Sequence, residues 1–198
     1  PGQLVRADDG YLAKLPAGKK GEYGPAPSNV DPWVANDYGP SLINTYQVGG
    51  TKEAPNIAYK GLAVRLDPGP GGVSRGKQWA VIDLDTMRVA AAWAGDGFID
   101  WKGIHFDGRH GVHPRITGDV KLLNPVGPGW ANPETGSFDD PRFKGRDDRP
   151  YGPLAKGWAK YRGSYAFGDQ TVLSYTVGDA DVLEALGAPT DATPEPGM

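Results

Sequence analysis

Apolar and polar residues alternate in several stretches of the chain, and each alternation predicts a strand. In Asn56–Leu66, Ile57 and Tyr59 share a face, as do Leu62, Val64 and Leu66, with Gly61 shifting the register between the two sets. This predicts a half-buried strand with a bulge at the glycine. Gln78–Leu84 and Met87–Trp93 flank Asp85-Thr86, which predicts a hairpin with a two-residue turn and a core of Trp79, Val81, Leu84, Val89, Ala91 and Trp93. The alanines 90–92 imply close packing against a large ring, Trp93 or Trp101. Tyr161–Phe167 and Thr171–Val177 predict a second hairpin around Gly168-Asp169, rich in aromatic and β-branched residues. Thr117–Leu123 and Asp179–Leu186 read as shorter strands, and Leu154–Lys160 as a helical turn.

Loops separate these strands. Asp67–Lys77 (DPGPGGVSRGK) and Asn124–Asp140 are too rich in Pro and Gly for regular structure, and Asp139–Tyr151 carries charges of both signs and reads as solvated. The Asp67–Lys77 loop lacks the residue order of a phosphate-cradling loop, and no helix follows it. Short strands between turn clusters, with no repeat and no heptad, predict an all-β antiparallel domain, sandwich or barrel-like, with long Pro/Gly-rich loops and extended terminal arms. The expected limits are an extended N-terminal arm over residues 1–32, a β domain over 33–186 and a C-terminal tail or linker over 187–198. The arm's Leu4, Leu12 and Leu15 call for a surface to cover them.

Composition narrows the function. The 198 residues hold 30 Gly and 19 Pro, a share typical of disordered chains, but also 6 Trp, 9 Tyr and 5 Phe, which disordered chains lack. A net charge of -3 gives no basis for nucleic-acid binding. No apolar run approaches the roughly 18 residues of a membrane span. With no cysteine, the chain forms no disulfide, no thiolate metal site and no covalent c-type haem attachment. It opens on Pro-Gly rather than Met, which predicts a processed or excised piece.

The densest chemistry lies in Gly97–Pro114, GFIDWKGIHFDGRHGVHP, which holds all three histidines. His105, Asp107, His110 and His113 are the candidate ligands for a divalent metal, or for an axial position on haem. The competing reading is structural, with the same side chains pinning a glycine-rich loop by hydrogen bonds. Gly111 and Pro114 break the helix that would align His110 with His113. Asp83, Asp85, Asp96, Asp100 and Asp107 are numerous enough for paired-carboxylate chemistry, yet each borders a turn, where Asp is common. No Gly-x-Ser-x-Gly elbow is present. Trp101, Arg109, Trp130 and Trp158 are the candidate glycan contacts; the alternative is tryptophan packed in the core. No catalytic residue is assigned.

The blocks NIAYKGLAVRLDPGPGGVSRG, DTMRVAAAW, GFIDWKGIHFDGRHGVHP, NPVGPGWANPETGSFDDPR, DRPYGPL and GDQTVLSYTVGDADVLE cover most of the stretch from Trp33 to roughly Glu184. Through them the chain resembles a domain of unknown function from large exported multi-domain proteins of planctomycetes and related bacteria. Relatives commonly sit beside c-type cytochrome domains and propellers like those of sugar dehydrogenases. The resemblance implies a periplasmic, cell-surface or extracellular protein in an electron-transfer-associated context. It brings no catalytic residues, and this chain has no CxxCH motif. The expected function is a non-catalytic docking module of an exported, redox-associated assembly, with other subunits or domains as partners and no cofactor of its own. The alternatives are a carbohydrate-binding module and a metal- or haem-ligating domain using residues 105–113.

Overall fold

The described residues form ten strands: β1 (Ser41–Gly50), β2 (Pro55–Arg65), β3 (Gln78–Asp83), β4 (Arg88–Ala94), β5 (Ile99–Asp100), β6 (Arg115–Ile116), β7 (Asp119–Leu123), β8 (Ala159–Phe167), β9 (Gln170–Val177) and β10 (Ala180–Ala185). This computed structural model describes residues 38–104, 111–168 and 170–188. They belong to the unit Asp37–Met198. The expected arm over 1–32 lies outside the described residues, as do His105, Asp107, Arg109, His110 and residues 189–198. Among the described residues there is no α-helix, only a 3-10 turn at Val73–Arg75. The fold is all-β, as expected.

Seven strands make one sheet in the order β5-β6-β1-β2-β3-β4-β7, and three make a second in the order β10-β9-β8. All pairings are antiparallel except the single parallel contact of Gln47 in β1 with Arg115 in β6. The large sheet curls into a half-barrel. A methyl group on Gly49 of β1 would sit 3.1 Å from Leu123 Cδ2 of β7, although three strands separate β1 and β7 in the sheet order.

The strand expected to be half-buried, Asn56–Leu66, is buried on both faces through most of β2. Its side chains feed two cores. Ala58 and Ala63 join Tyr46, Trp79, Val81, Ala90, Ala91, Trp93 and Phe98 on one side. Leu62 and Val64 join Ala80, Ile82, Leu173, Tyr175 and Trp158 on the other, between the two sheets. A strand covered on both faces reads as an apolar run rather than a clean alternation, which is why GLAVR and WAVID look as they do. The bulge falls beside Gly61: Asn44 pairs with Gly61 but Tyr46 pairs with Ala58, which puts the extra residue of β2 between Ala58 and Gly61. A Cβ at Gly61 would come within 2.5 Å of Tyr46 Cδ2, so the missing side chain makes room for that ring.

Trp79 and Trp93 face each other across the β3–β4 ladder and stack at 5.8 Å, with Phe98 6.2 Å from Trp93. Such ring pairs add about 0.5–1.5 kcal/mol each beyond burial. Both indole N–H groups are satisfied, Trp79 by the Val73 carbonyl and Trp93 by the Phe98 carbonyl. Ala90 and Ala91 lie fully buried in this same cluster, as their small size implied.

The β3–β4 hairpin departs from expectation at its turn. Asp83 pairs with Arg88, which leaves a four-residue turn, Leu84–Met87, instead of two residues. The Leu84 N–H bonds to the Lys60 carbonyl of β2 rather than to β4, and Asp83 Oδ1 accepts the Asp85 N–H. The turn thus dips toward the second sheet, burying Leu84 and Met87 in the inter-sheet core. The other hairpin keeps its expected two-residue turn, with Phe167 opposite Gln170. Of the helical turn expected over Leu154–Lys160, only residues 156–158 form a turn, because Ala159 and Lys160 already belong to β8. Ala188 donates its N–H to the Leu66 carbonyl, so the first residues after β10 stay on the large sheet.

Candidate functional site

The loop that follows β7 cannot form a ladder, because NPVGPGW holds too few donors and too many glycines. It is held instead by side chains from the sheet. Arg88, only 2% exposed, donates from Nη1 to the Asn124 carbonyl (2.9 Å), the Pro125 carbonyl (2.7 Å) and Asn56 Oδ1 (3.0 Å). Asn56 Nδ2 donates to the Asn124 carbonyl, and Asn124 Nδ2 to the Val89 carbonyl. The Gly129 N–H reaches the Thr86 carbonyl, and a Cβ at Gly129 would overlap the Met87 carbonyl. Only glycine permits the loop to approach so closely.

Asp83 lies beside Arg88, with Nη2 and Oδ2 3.7 Å apart. Burial pushes the Asp83 carboxyl above the usual carboxylate range, and the Arg88 charge opposes that rise in part. Further along the chain, Arg142 grips Asp140 through Nε and Nη2 and donates from Nη1 to the Gly152 carbonyl.

The pinned loop walls a cleft of about 510 Å3 with Met87, Arg88, Trp130, Phe138 and Glu184 among its lining residues. Trp130 is 40% exposed; its ring lies 6.2 Å from Tyr175, and its carbonyl accepts the Trp158 indole N–H. Tyr175 donates to Glu184 Oε2 at 2.9 Å, which fixes that carboxylate. Burial, then the bond to Glu184, push the Tyr175 phenol above its ordinary value, so it stays a donor. Val126, Trp130 and Phe138 expose much of their surface here, and β7 exposes Val120, Leu122 and Leu123 immediately before the loop. β7 ends the order of the large sheet, so among the described residues its outer edge pairs with no strand.

Glu184 is the one carboxylate among the described residues lining this cleft. Sugar hydrolysis by two carboxylates needs a second. Of the other acids weighed from the sequence, Asp83 faces Arg88, Asp85 faces Lys60, Asp96 faces Lys77 and Asp100 accepts the Lys102 N–H, while Asp107 lies outside the described residues.

Of the candidate glycan contacts, Trp130 borders the cleft. Trp158 is 5% exposed and belongs to the inter-sheet core, so it presents no face to a ligand. Trp101 is half-buried and stacks on Tyr38 at 5.9 Å, on the other core. Arg109 lies outside the described residues. Of the candidate metal ligands only His113 is described, its ring edge-on to Tyr59 at 6.3 Å. Among the described residues, no three His, Asp or Glu side chains are grouped to hold a metal. Arg88, Phe138 and Glu184 were not singled out from the sequence. The one available signal was Arg88, a cation at the head of the apolar run VAAAW.

Residues 80–184 match a family described as a domain of unknown function (DUF6797). Neither the curated proteins nor the solved structures contain a match.

Proposed function

The chain belongs to the DUF6797 family of domains of unknown function, and on that footing we propose that it is a non-catalytic docking module. The observation that carries this reading is the exposed apolar surface of Val126, Trp130 and Phe138 around the cleft, together with an edge strand, β7, that exposes Val120, Leu122 and Leu123. Exposed apolar side chains gathered around one cleft mark an interaction site more often than scattered exposure does. An open strand edge offers backbone donors and acceptors for an added strand, and the cleft beside it offers a pocket for side chains. The occupant we propose is an extended segment of a partner protein, laid along β7 with an apolar side chain in the cleft. The resemblance described above supports a partner within an exported, cytochrome-linked assembly.

The test is position-specific photo-crosslinking in the source cells. A photoreactive residue at Leu122 or Phe138 should trap one and the same partner, and the same residue at Arg162 should not. Crosslinks that appear equally at all three positions, or at none, would reject the reading.

One observation favours the carbohydrate alternative: the exposed Trp130 ring lies at a cleft that also holds Glu184. Saturable quenching of tryptophan fluorescence by an oligosaccharide, lost in Trp130→Ala, would select it.

A further inference from the structure

A second cleft, of about 630 Å3, opens beside the turn of the β1–β2 hairpin. Its charged and titratable lining residues are Lys52, His113, Arg115 and Arg149, with no carboxylate among the described residues that line it. The chain as a whole is acidic, so this concentration of cations is local. They come from three separated segments. Lys52 sits in the hairpin turn, closed by the Thr51 N–H on the Ala54 carbonyl and the Ala54 N–H on Thr51 Oγ1. Arg115 is on β6, beside Gln47, to whose Oε1 it donates. Arg149 comes from the 144–150 turn, which its carbonyl helps to close by accepting the Gly145 N–H.

Arg149 is held in place. Its Nε lies 2.7 Å from Asp147 Oδ2, and its Nη1 donates to the Tyr59 hydroxyl. Tyr59 donates in turn to Tyr151, and Tyr151 to Asp147 Oδ2 at 2.5 Å. That bond to Asp147 leads the causes that push the Tyr151 phenol above its ordinary value, so Tyr151 remains a donor in the chain. Acidic groups are sorted to the far side: Glu53, Asp147 and Asp148 line an adjoining cleft of about 410 Å3 that shares Arg149.

Bringing like charges together costs stability, and pre-positioned guanidinium groups suit oxyanions, which they bind through paired N–H donors. We propose that this cleft binds a small organic molecule bearing an oxyanion, held by Arg149, Arg115 and Lys52 over an apolar floor that includes Pro55 and Ile57. The volume falls in the range of about 300–1,000 Å3 typical of small-molecule sites, well beyond a lone ion. Carboxylates and sulfate or phosphate esters share the required chemistry.

The test titrates the whole chain, at constant ionic strength set with chloride, with sulfate, inorganic phosphate and glucuronate in separate arms. Backbone amide shifts are followed by nuclear magnetic resonance. Saturable shifts at residues 50–52 and 111–115 with any arm support the site, and the arm that binds tightest separates a tetrahedral from a planar oxyanion. Arg115→Gln, on an exposed side chain, should weaken that binding about tenfold, the factor for one charge-assisted bond. It should leave the melting temperature unchanged or raised, because a like charge has gone. Shifts no larger than those with chloride alone, or binding that Arg115→Gln and Lys52→Gln both leave intact, would overturn the proposal.

Discussion

Arg88 and Asp83 stand opposite each other at the head of the β3–β4 turn, both nearly out of solvent, yet the nearest ion-pair atoms are 3.7 Å apart. The guanidinium directs its hydrogen bonds from Nη1 to the carbonyls of Asn124 and Pro125, so it serves the loop as much as the carboxylate. Arg88→Met should therefore remove the loop's anchor and leave Asp83 buried without its cation. The expected loss is about 3–5 kcal/mol, the range for breaking one side of a buried pair, read by urea unfolding. Asp83→Asn should cost less, because Arg88 keeps its carbonyl partners.

Arg65 performs a similar task for the Asp67–Lys77 loop. It donates to Asp67 Oδ2 and to the carbonyls of Pro68, Gly69 and Pro70, while Asp67 Oδ1 accepts the N–H groups of Lys77 and Gln78 at the start of β3. Arg65→Lys keeps the charge but not the fork, and each lost bond to a charged group is worth about 1.5–3 kcal/mol. Most of the destabilisation of Arg65→Met should therefore persist in Arg65→Lys.

The same contacts set a pH dependence. Burial would raise the Asp67 carboxyl, but the bonds from Arg65, Lys77 and Gln78 outweigh it and hold the carboxyl below its usual range. A carboxyl lowered in the folded state contributes stability above its unfolded pKa of about 3.9 and loses it as pH falls through the lower folded value. Asp83 acts with the opposite sign: its raised carboxyl makes stability fall as pH rises from about 3.9 through the folded value. Asp67→Asn should be less stable than the parent at neutral pH and converge with it as pH falls through the lowered folded value, measured as unfolding midpoints across pH.

Gly61→Ala tests the bulge. The added methyl would meet Tyr46 Cδ2 at 2.5 Å and Val81 Cγ2 at 2.9 Å, and overpacking of this kind costs about 1–3 kcal/mol. Gly163→Ala is the control: in β8 a Cβ there meets nothing within 4 Å, and thermal unfolding should change little.

Much of the fold was legible because local rules and tertiary packing agree. Gly61 marked its bulge, and the Gly168 turn gave a hairpin of the expected length. What was hidden depends on coverage by distant residues. Nothing local says that β2 has a second sheet on one side and the Trp79–Trp93 stack on the other. Nor does NPETGSF say that Phe138 will stand beside Glu184, 46 residues later in sequence. Trp158 misled for the same reason: it sits in a turn, where tryptophan is often exposed, but the turn is roofed by the inter-sheet core.

The three guanidinium anchors, on Arg65, Arg88 and Arg142, occupy the role that cystines fill in many loop-rich domains. Each ties irregular backbone to the sheet or to itself with bonds that need no oxidant to form and that no thiol can reduce. The chain can therefore reach its native state before, during or after any change of redox surroundings. Its weak points are those of ionic cross-links instead: acid, and denaturants that compete for carbonyl oxygens.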